Sequence, residues 1–198
     1  MKLIILTFLL PLFCFAHAGT NLNSLQVSTK DSIAGTSVIL KNHEVIFQKV
    51  YTSKLTGDDL AEKLFTLLST MKKFRLDRRV SPTETEFIGK LTYYMVDARK
   101  YGGTVFATPA ILSYPVTASV VINIKDYKYR VTIADITFKD IESATKGEFR
   151  DVTLSEHITQ NRRSQLKTGK SALRLAQFID QDFSDRFDLM KSSLNDDF

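Results

Sequence analysis

Three polar residues close together in the sequence have the types that a hydrolytic site requires. Asp151, Ser155 and His157 could supply an orienting carboxylate, a serine nucleophile and a histidine base. Such triads are assembled in space from separate parts of a chain, so closeness within one polar stretch does not support one. The chain also contains no G-x-S-x-G sequence, in which a sharp turn exposes the serine. The pattern therefore does not indicate a hydrolytic triad, and a hydrolase with a site assembled from dispersed residues stays as an alternative.

The other residues with catalytic or ligating side chains lack the spacing that their chemistry needs. Glu84 and Glu86 could act as paired carboxylates in glycoside hydrolysis, but two acids on one strand are typical of a solvated edge. His43 and His157 do not have the spacing of metal ligands. Residues 169–171, Gly-Lys-Ser, resemble the end of a phosphate-binding loop but lack the earlier glycine of that motif. The sequence therefore predicts no catalytic residue, no cofactor and no metal ion.

Residues 1–18 have the three parts of a secretory signal peptide. After a positive start, an apolar run over residues 3–15 is too short to span a membrane, and residues 16–18, Ala-His-Ala, form a cleavage sequence. Cleavage would remove Cys14, the single cysteine of the chain. The bulky Phe13 before Cys14 argues against a lipoprotein signal. We expect export to the periplasm or the medium, with membrane contact only through the signal peptide before cleavage.

The composition of the remaining chain suits a single globular domain. Hydrophobic residues make up 43% and charged residues 25% of the sequence, so a core can form without disulfides. We assign residues 19–35 to a flexible N-terminal lead and residues 36–198 to one domain.

The net charge of +5 is compatible with a mildly basic, solvated surface or with contact to an anionic partner. Two arginine pairs are the candidate contacts for an anionic glycan or lipid: Arg78, Arg79, Arg162 and Arg163. No nucleic-acid partner is expected, because the protein is predicted to be exported.

Alternation of apolar and polar residues predicts an antiparallel sheet. Strands are predicted near residues 36–40, 45–51, 74–80, 84–96, 116–125 and 129–138. Residues 41–44 are predicted to form a hairpin turn between the first two. The residues predicted to share one face of the fourth strand are Phe87, Leu91, Tyr93 and Met95. The apolar parity changes near Ile133-Ala134, which indicates a β-bulge in the last strand.

Two helices with apolar stripes are predicted to cover this sheet. In residues 57–73, apolar side chains recur at three- and four-residue steps, and Lys72-Lys73 in the last turn complements the helix dipole. A second helix is predicted over residues 171–190, packed on the sheet or, as an alternative, forming a dimer seam. Between them, Thr153 and Glu156 have the spacing of a capping box and predict the start of a short helix.

The segment 101–115 is too apolar for a solvated loop. It contains two apolar pairs, Val105-Phe106 and Ile111-Leu112. One interpretation is that the loop folds back over a sheet edge or a helix end. The other is that it contacts a partner, as long ordered loops often do. The candidate partner contacts are Val105, Phe106, Ile111 and Leu112.

The order of these elements resembles a bacterial protein family. The similarity covers the strand at 45–51, the helix at 57–73, residues 87–90 and the strand pair at 120–133. Its most specific part is residues 125–130, Lys-Asp-Tyr-Lys-Tyr-Arg, which is similar to the turn Lys-Asp-Gly-Lys-Tyr-Arg of the "domain of unknown function 4468" family. That family is described as having a TBP-like fold and is found in exported bacterial proteins. This chain departs from it by a tyrosine in place of the glycine and by a long insertion over residues 97–115.

The resemblance implies a helix-on-curved-sheet domain of the cell envelope, with a TBP-like core at about residues 45–138. It implies no catalytic residue, and a TBP-like fold does not by itself imply DNA binding. With the patterns above, we expect an α+β domain of about five or six antiparallel strands covered by helices, in the order β-α-β-β-β-β-α. The leading functional hypothesis is a non-enzymatic binding or accessory module whose partner is an envelope protein or a glycan. The alternatives are an exported hydrolase and a basic module that binds anionic glycan or lipid.

Overall fold

A computed structural model describes residues 31–79, 86–139 and 151–192 of the chain. Its strands are β1 (Val38–Lys41), β2 (Glu44–Thr52), β3 (Phe74–Arg79), β4 (Glu86–Tyr94), β5 (Val116–Lys125), β6 (Lys128–Phe138), β7 (Val152–Thr153), β8 (Thr159–Gln160) and β9 (Gln165–Leu166). Its α-helices are α1 (Gly57–Thr70), α2 (Leu154–Ile158), α3 (Lys170–Arg186) and α4 (Leu189–Ser192). Two short 3-10 helices, Ala98–Tyr101 and Ala110–Ser113, lie in the connection between β4 and β5.

The main sheet is antiparallel, with the strand order β1-β2-β6-β5-β4-β3. The short strand β7 pairs with the end of β6 and brings the sheet to seven strands. The predicted α+β class is therefore confirmed, with one short strand more than expected. Strands β8 and β9 form a separate hairpin.

The pairing register places the connections at two opposite ends of the sheet. Tyr94, the last residue of β4, lies beside Val116, the first residue of β5, and Val116 lies beside Phe138, the last residue of β6. We call this end the loop end, because the β4–β5 connection is there. The β1–β2 turn and the residues before β3 are at the loop end as well. The turn between β5 and β6 is at the opposite end.

One face of the sheet carries the core, because strand residues alternate between buried and exposed positions. Helix α1 packs on this face through Leu60, Leu64 and Leu68, which recur every four residues. Helix α3 packs beside it, and the ring of its Phe183 lies 5.7 Å from the ring of Phe47 on β2. The predicted packing of both helices on the sheet is confirmed.

Bulges in β6 and in β4 change which of their side chains face the core. On β6 the register shifts opposite Thr117 and Ser119, at Asp135, which confirms the predicted bulge one residue further along. A second bulge in β4 falls between Leu91 and Tyr94, where Tyr93 has a positive φ of 49°. It leaves Tyr93 and Met95 exposed, so the prediction that they share the buried face of Phe87 and Leu91 is wrong.

Three predicted boundaries also differ from the structure. Helix α1 ends at Thr70, so Lys72-Lys73 follow the helix, and Lys73 adopts a positive φ of 63°. The C-terminal helix is interrupted after Arg186, where the Tyr129 hydroxyl donates to the carbonyl of Phe187 and accepts from the backbone N–H of Leu189. Ile33, assigned to the flexible lead, is buried in the core, so the packed domain includes residues 31–35. The rest of that lead lies outside the described residues.

The predicted hairpin turn at residues 41–44 and the capping box at Thr153 and Glu156 are both confirmed. Within the described ranges, none of the helices combines the length and the apolar character needed to cross a membrane.

Candidate contact site at the loop end

The first part of the β4–β5 connection, residues 94–101, is called the loop root below. It is fixed to α3 by a buried carboxylate. Tyr94 donates a 2.6 Å hydrogen bond to Asp182 Oδ2, and the backbone N–H of Asp97 donates at 3.2 Å to Oδ1. The Asp182 side chain is almost fully buried. The guanidinium carbon of Arg186 lies 4.0 Å from the centre of the Tyr94 ring. Burial raises the pKa of Asp182, although the bonds from Tyr94 and Asp97 and the charge of Arg186 act in the opposite direction.

A second carboxylate, one helical turn later, anchors the 3-10 helix that follows. Asp185 accepts hydrogen bonds from Lys100 at 3.1 Å and from the Tyr101 hydroxyl at 3.0 Å, and it forms an ion pair with Lys191. Burial would raise the pKa of Asp185, but the bonds from Lys191, Lys100 and Tyr101 outweigh burial and hold it below its usual value. The pKa values of Asp182 and Asp185 are thus shifted in opposite directions.

The carboxyl groups of Asp182 and Asp185 have shifted pKa values, as catalytic groups often do, but their hydrogen bonds hold the loop in place. Both oxygens of Asp182 accept hydrogen bonds from the root of the connection. Burial and the neighbouring carboxylates raise the pKa of Tyr94 and of Tyr101, so both hydroxyls stay protonated donors. Ion-pair and hydrogen-bond networks of this kind also perturb pKa values, and here they fix a loop.

Beyond the root, Gly103 closes the base of the loop. Its backbone N–H donates at 2.8 Å to the carbonyl of Ala98. A Cβ at this position would lie 2.6 Å from that carbonyl oxygen and 2.7 Å from Thr108 Oγ1, so the approach requires a glycine. The tip is a turn in which the carbonyl of Thr104 accepts from the N–H groups of Ala107 and Thr108, at 3.0 and 2.9 Å. The tip is therefore held by its own backbone bonds and by a fixed base.

One apolar pair of the connection is exposed to solvent and the other is buried. Val105 is 85% exposed and Phe106 is 100% exposed, whereas Ile111 and Leu112 are 8% and 4% exposed. Ile111 and Leu112 pack in the core because their 3-10 helix folds back onto the domain. Their place in the predicted contact surface is corrected: only Val105 and Phe106, called the apolar tip below, are accessible to a partner.

The two candidate arginine pairs do not form one surface. Arg78 and Arg79 lie on β3, at one edge of the sheet and toward its opposite end, and their side chains are outside the described part of the structure. Arg162 and Arg163 are exposed in the turn between β8 and β9. The carbonyl of Arg163 lies 3.3 Å from His43 Nδ1 in the β1–β2 turn, which places this pair at the loop end near the other edge.

A shallow groove of about 410 Å³ lies between these two turns. Its lining includes Lys41, His43 and Arg163, with Asp31 as an acidic neighbour. The Arg163 guanidinium donates at 2.8 Å to Glu156. The groove is polar and partly cationic, and it opens to solvent at the loop end.

The residues considered for catalysis have structural contacts instead. Ser155 Oγ is buried and accepts a 2.8 Å bond from the backbone N–H of Val45, which ties α2 to β2. Asp151 pairs with Lys139, and the carbonyl of His157 accepts from Lys167. Glu86 accepts from the amide of Asn123, while Glu84 lies outside the described residues. Among the residues with described positions, no group of three or more His, Cys, Asp or Glu side chains could hold a metal ion.

The sequence analysis did not single out Asp182, Asp185 or Arg186, which organise the loop root. One signal was available for Asp182. It follows Ile179 by three residues and precedes Phe183 on the apolar stripe of the predicted C-terminal helix. A charged residue in phase with a buried stripe needs a buried partner, and here that partner is Tyr94.

Comparison with known proteins gives a match at the level of fold. Neither a protein-family model nor a curated protein sequence matches this chain. A solved DUF4468 family protein from Bacteroides ovatus ATCC 8483 superposes with a TM-score of 0.53 at 14% identity, covering 78% of this chain and 89% of that one. The chain shares the fold of this DUF4468 protein. The predicted resemblance is thereby confirmed for the fold.

A solved TBP-like protein from Parabacteroides distasonis ATCC 8503 also matches, with a TM-score of 0.44 and 13% identity over 75% of this chain and 94% of that one. The similarity to the DUF4468 protein, at 14% identity, shows a shared fold. It does not transfer an activity to this chain, because one fold supports many functions.

Proposed function

We propose that this chain is an exported, non-enzymatic module of the cell envelope that binds another envelope component through the apolar tip. The observation that carries the proposal is the complete exposure of Phe106 beside an exposed Val105. Single exposed apolar residues are common on proteins, but a fully exposed phenylalanine at the end of a braced loop adds nothing to folding. A binding role gives this side chain a function.

The contacts that hold the apolar tip in place support the same proposal. Its base is held by Asp182, Asp185 and Gly103, and its turn is closed by backbone bonds from Thr104. A contact element that is already ordered loses less conformational entropy on binding than a disordered one. Aromatic side chains that enter a partner from such positions often dominate the binding energy.

The shifted carboxylates support a role without catalysis. Asp182 and Asp185 are the described acids with shifted pKa values at this site, and both are engaged in bonds that fix the loop root. Export is supported by the signal-peptide pattern of residues 1–18. The expected partner is an envelope protein or glycan, or a membrane surface.

The test is retention of the protein in the envelope fraction of the native cell. Mass spectrometry of the retained protein should find a chain that begins after Ala18. The variant Val105→Ser/Phe106→Ser should be released into the soluble fraction, with an unfolding midpoint like that of the parent because both side chains are exposed. Tyr127→Ser, which alters an exposed aromatic residue at the opposite end of the sheet, should be retained. Equal retention of the two variants would contradict the proposal.

A further inference from the structure

We propose that the loop end docks reversibly on an anionic lipid bilayer, with the apolar tip inserted into the interface and nearby cations against the headgroups. This inference rests on the proposed function, since it names the component that the tip contacts. The sequence alone predicts membrane contact only through the signal peptide. The loop end provides a second, peripheral contact in the folded domain.

The apolar tip suits the interface of a bilayer. Residues 101–124, which include the whole loop beyond its root, contain no charged side chain. Backbone groups that enter the interface need partners within the protein, because lipid tails supply none. At the tip, the carbonyl of Thr104 already accepts from the N–H groups of Ala107 and Thr108. Val105 and Phe106 can therefore enter an apolar layer without carrying a charge with them.

The charges at the loop end complement an anionic surface. Exposed cations there are Lys41, Lys72, Lys73, Arg99 and Arg162. Two acids at this end form ion pairs within the protein, Asp151 with Lys139 and Glu156 with Arg163. Asp97 accepts a hydrogen bond from the backbone N–H of Lys100, and Asp31 is an exposed acid beside Lys41. Basic groups that flank an apolar anchor strengthen its attraction to anionic lipid.

The area of the apolar tip argues against a second copy of the chain as its occupant. A phenylalanine and a valine together offer at most a few hundred Å² of apolar surface, whereas a stable dimer buries about 1,200 Å² or more. A bilayer requires no matching surface, since the tip enters a fluid interface. Two side chains give a weak anchor, so the contact is expected to be reversible and sensitive to salt.

The chain contains no tryptophan, so a single introduced tryptophan reports directly on the environment of one position. The exported, processed protein is used, because residues 1–18 would bind lipid by themselves. Phe106→Trp is compared with Tyr127→Trp at the opposite end of the sheet. The probes are vesicles of phosphatidylcholine with phosphatidylglycerol, and vesicles of phosphatidylcholine alone.

With the anionic vesicles, the emission of Phe106→Trp should shift to shorter wavelength and that of Tyr127→Trp should not. In co-sedimentation, Val105→Ser/Phe106→Ser should lower vesicle affinity about tenfold or more, and Tyr127→Ser should leave it unchanged. High salt should reverse the binding, and uncharged vesicles should bind less.

Several results would overturn the bilayer inference: no shift at position 106, an equal shift at position 127, or equal binding to the uncharged vesicles. If vesicle binding is absent but the double serine variant is still released from the envelope, the proposed function stands with a protein or glycan as partner. If the double variant is retained like the parent, the proposed function itself is wrong.

Discussion

Tyr94 donates a 2.6 Å hydrogen bond to Asp182, and this bond joins the end of β4 to the C-terminal part of α3. The bond exists because the bulge at Tyr93 reverses the parity of β4 and turns Tyr94 toward the helix. A local irregularity in one strand thus sets the root of the loop that carries Phe106. The buried polar cluster around Asp182 and Asp185 therefore holds the start of the loop whose tip is exposed.

Removing this hydrogen bond should destabilise the fold. Tyr94→Phe leaves one oxygen of the buried Asp182 without its donor, so the free energy of unfolding should fall by about 1–3 kcal/mol in urea denaturation. The control is Tyr93→Phe, the neighbouring tyrosine, which is largely exposed. Its effect should stay within about 0.5 kcal/mol. Equal losses in the two variants would contradict the structural role of the bond.

Asp182 and Asp185 should contribute to the pH dependence of stability with opposite signs. The folded state raises the pKa of Asp182 above the ordinary 3.8, so the stability linked to it is present below pH 3.8 and is lost as the pH rises through the folded-state pKa. The folded state lowers the pKa of Asp185, so its contribution is present above pH 3.8 and is lost as the pH falls.

Denaturation of Asp182→Asn and Asp185→Asn across a pH series checks this sign. Asp182→Asn should reduce the loss of stability that the parent protein shows as the pH rises above 3.8. Asp185→Asn should reduce the loss of stability that the parent protein shows as the pH falls below 3.8. The assignment is wrong if both variants flatten the same side of the profile.

Gly103→Ala should loosen the loop base. The added Cβ would meet the carbonyl of Ala98 at 2.6 Å, and the backbone must move to relieve that contact. We expect a loss of about 1–3 kcal/mol in the free energy of unfolding and faster proteolysis within residues 98–110. Gly169→Ala is the steric control for the proteolysis measurement, because a Cβ there meets no atom within 4 Å; it is not used for the free energy of unfolding, because Gly169 is the N-cap of α3. Unchanged proteolysis in Gly103→Ala would show that the loop base does not depend on this approach.

Two threonines at helix starts should differ in their contribution to stability. Thr153 accepts a hydrogen bond from the N–H of Glu156 in a complete capping box, so Thr153→Ala should cost about 1 kcal/mol. Thr56 stands at the same position of α1 but makes no capping bond to the backbone. Thr56→Ala should therefore cost clearly less in thermal or urea denaturation. The reverse order of the two effects would be inconsistent with the capping geometry.

Much of the fold could be predicted because local patterns determined it. The alternation of Val116, Ala118, Val120, Ile122 and Ile124 indicated β5, and all five side chains are buried. The change of parity after Ile133 indicated the bulge at Asp135. The bulge at Tyr93 gave no such signal, because Tyr93, Tyr94 and Met95 can occupy either face of a strand.

The site was harder to predict because it depends on contacts between distant parts of the chain. Tyr94 and Asp182 are joined only when α3 lies across the sheet, and no local pattern contains that packing. The apolar loop was recognised, but its two pairs could not be separated by composition. Ile111 and Leu112 lie in a 3-10 helix that packs them into the core, whereas Val105 and Phe106 remain exposed.

The most direct test of the central claim is photo-crosslinking from position 106 in intact cells. A photoreactive phenylalanine analogue placed at Phe106 should give covalent adducts with an envelope component, whether lipid, glycan or protein. The same analogue at Tyr127 should give none of these adducts. Absence of adducts at position 106, or the same adducts from both positions, would contradict the assignment of the apolar tip as the contact site.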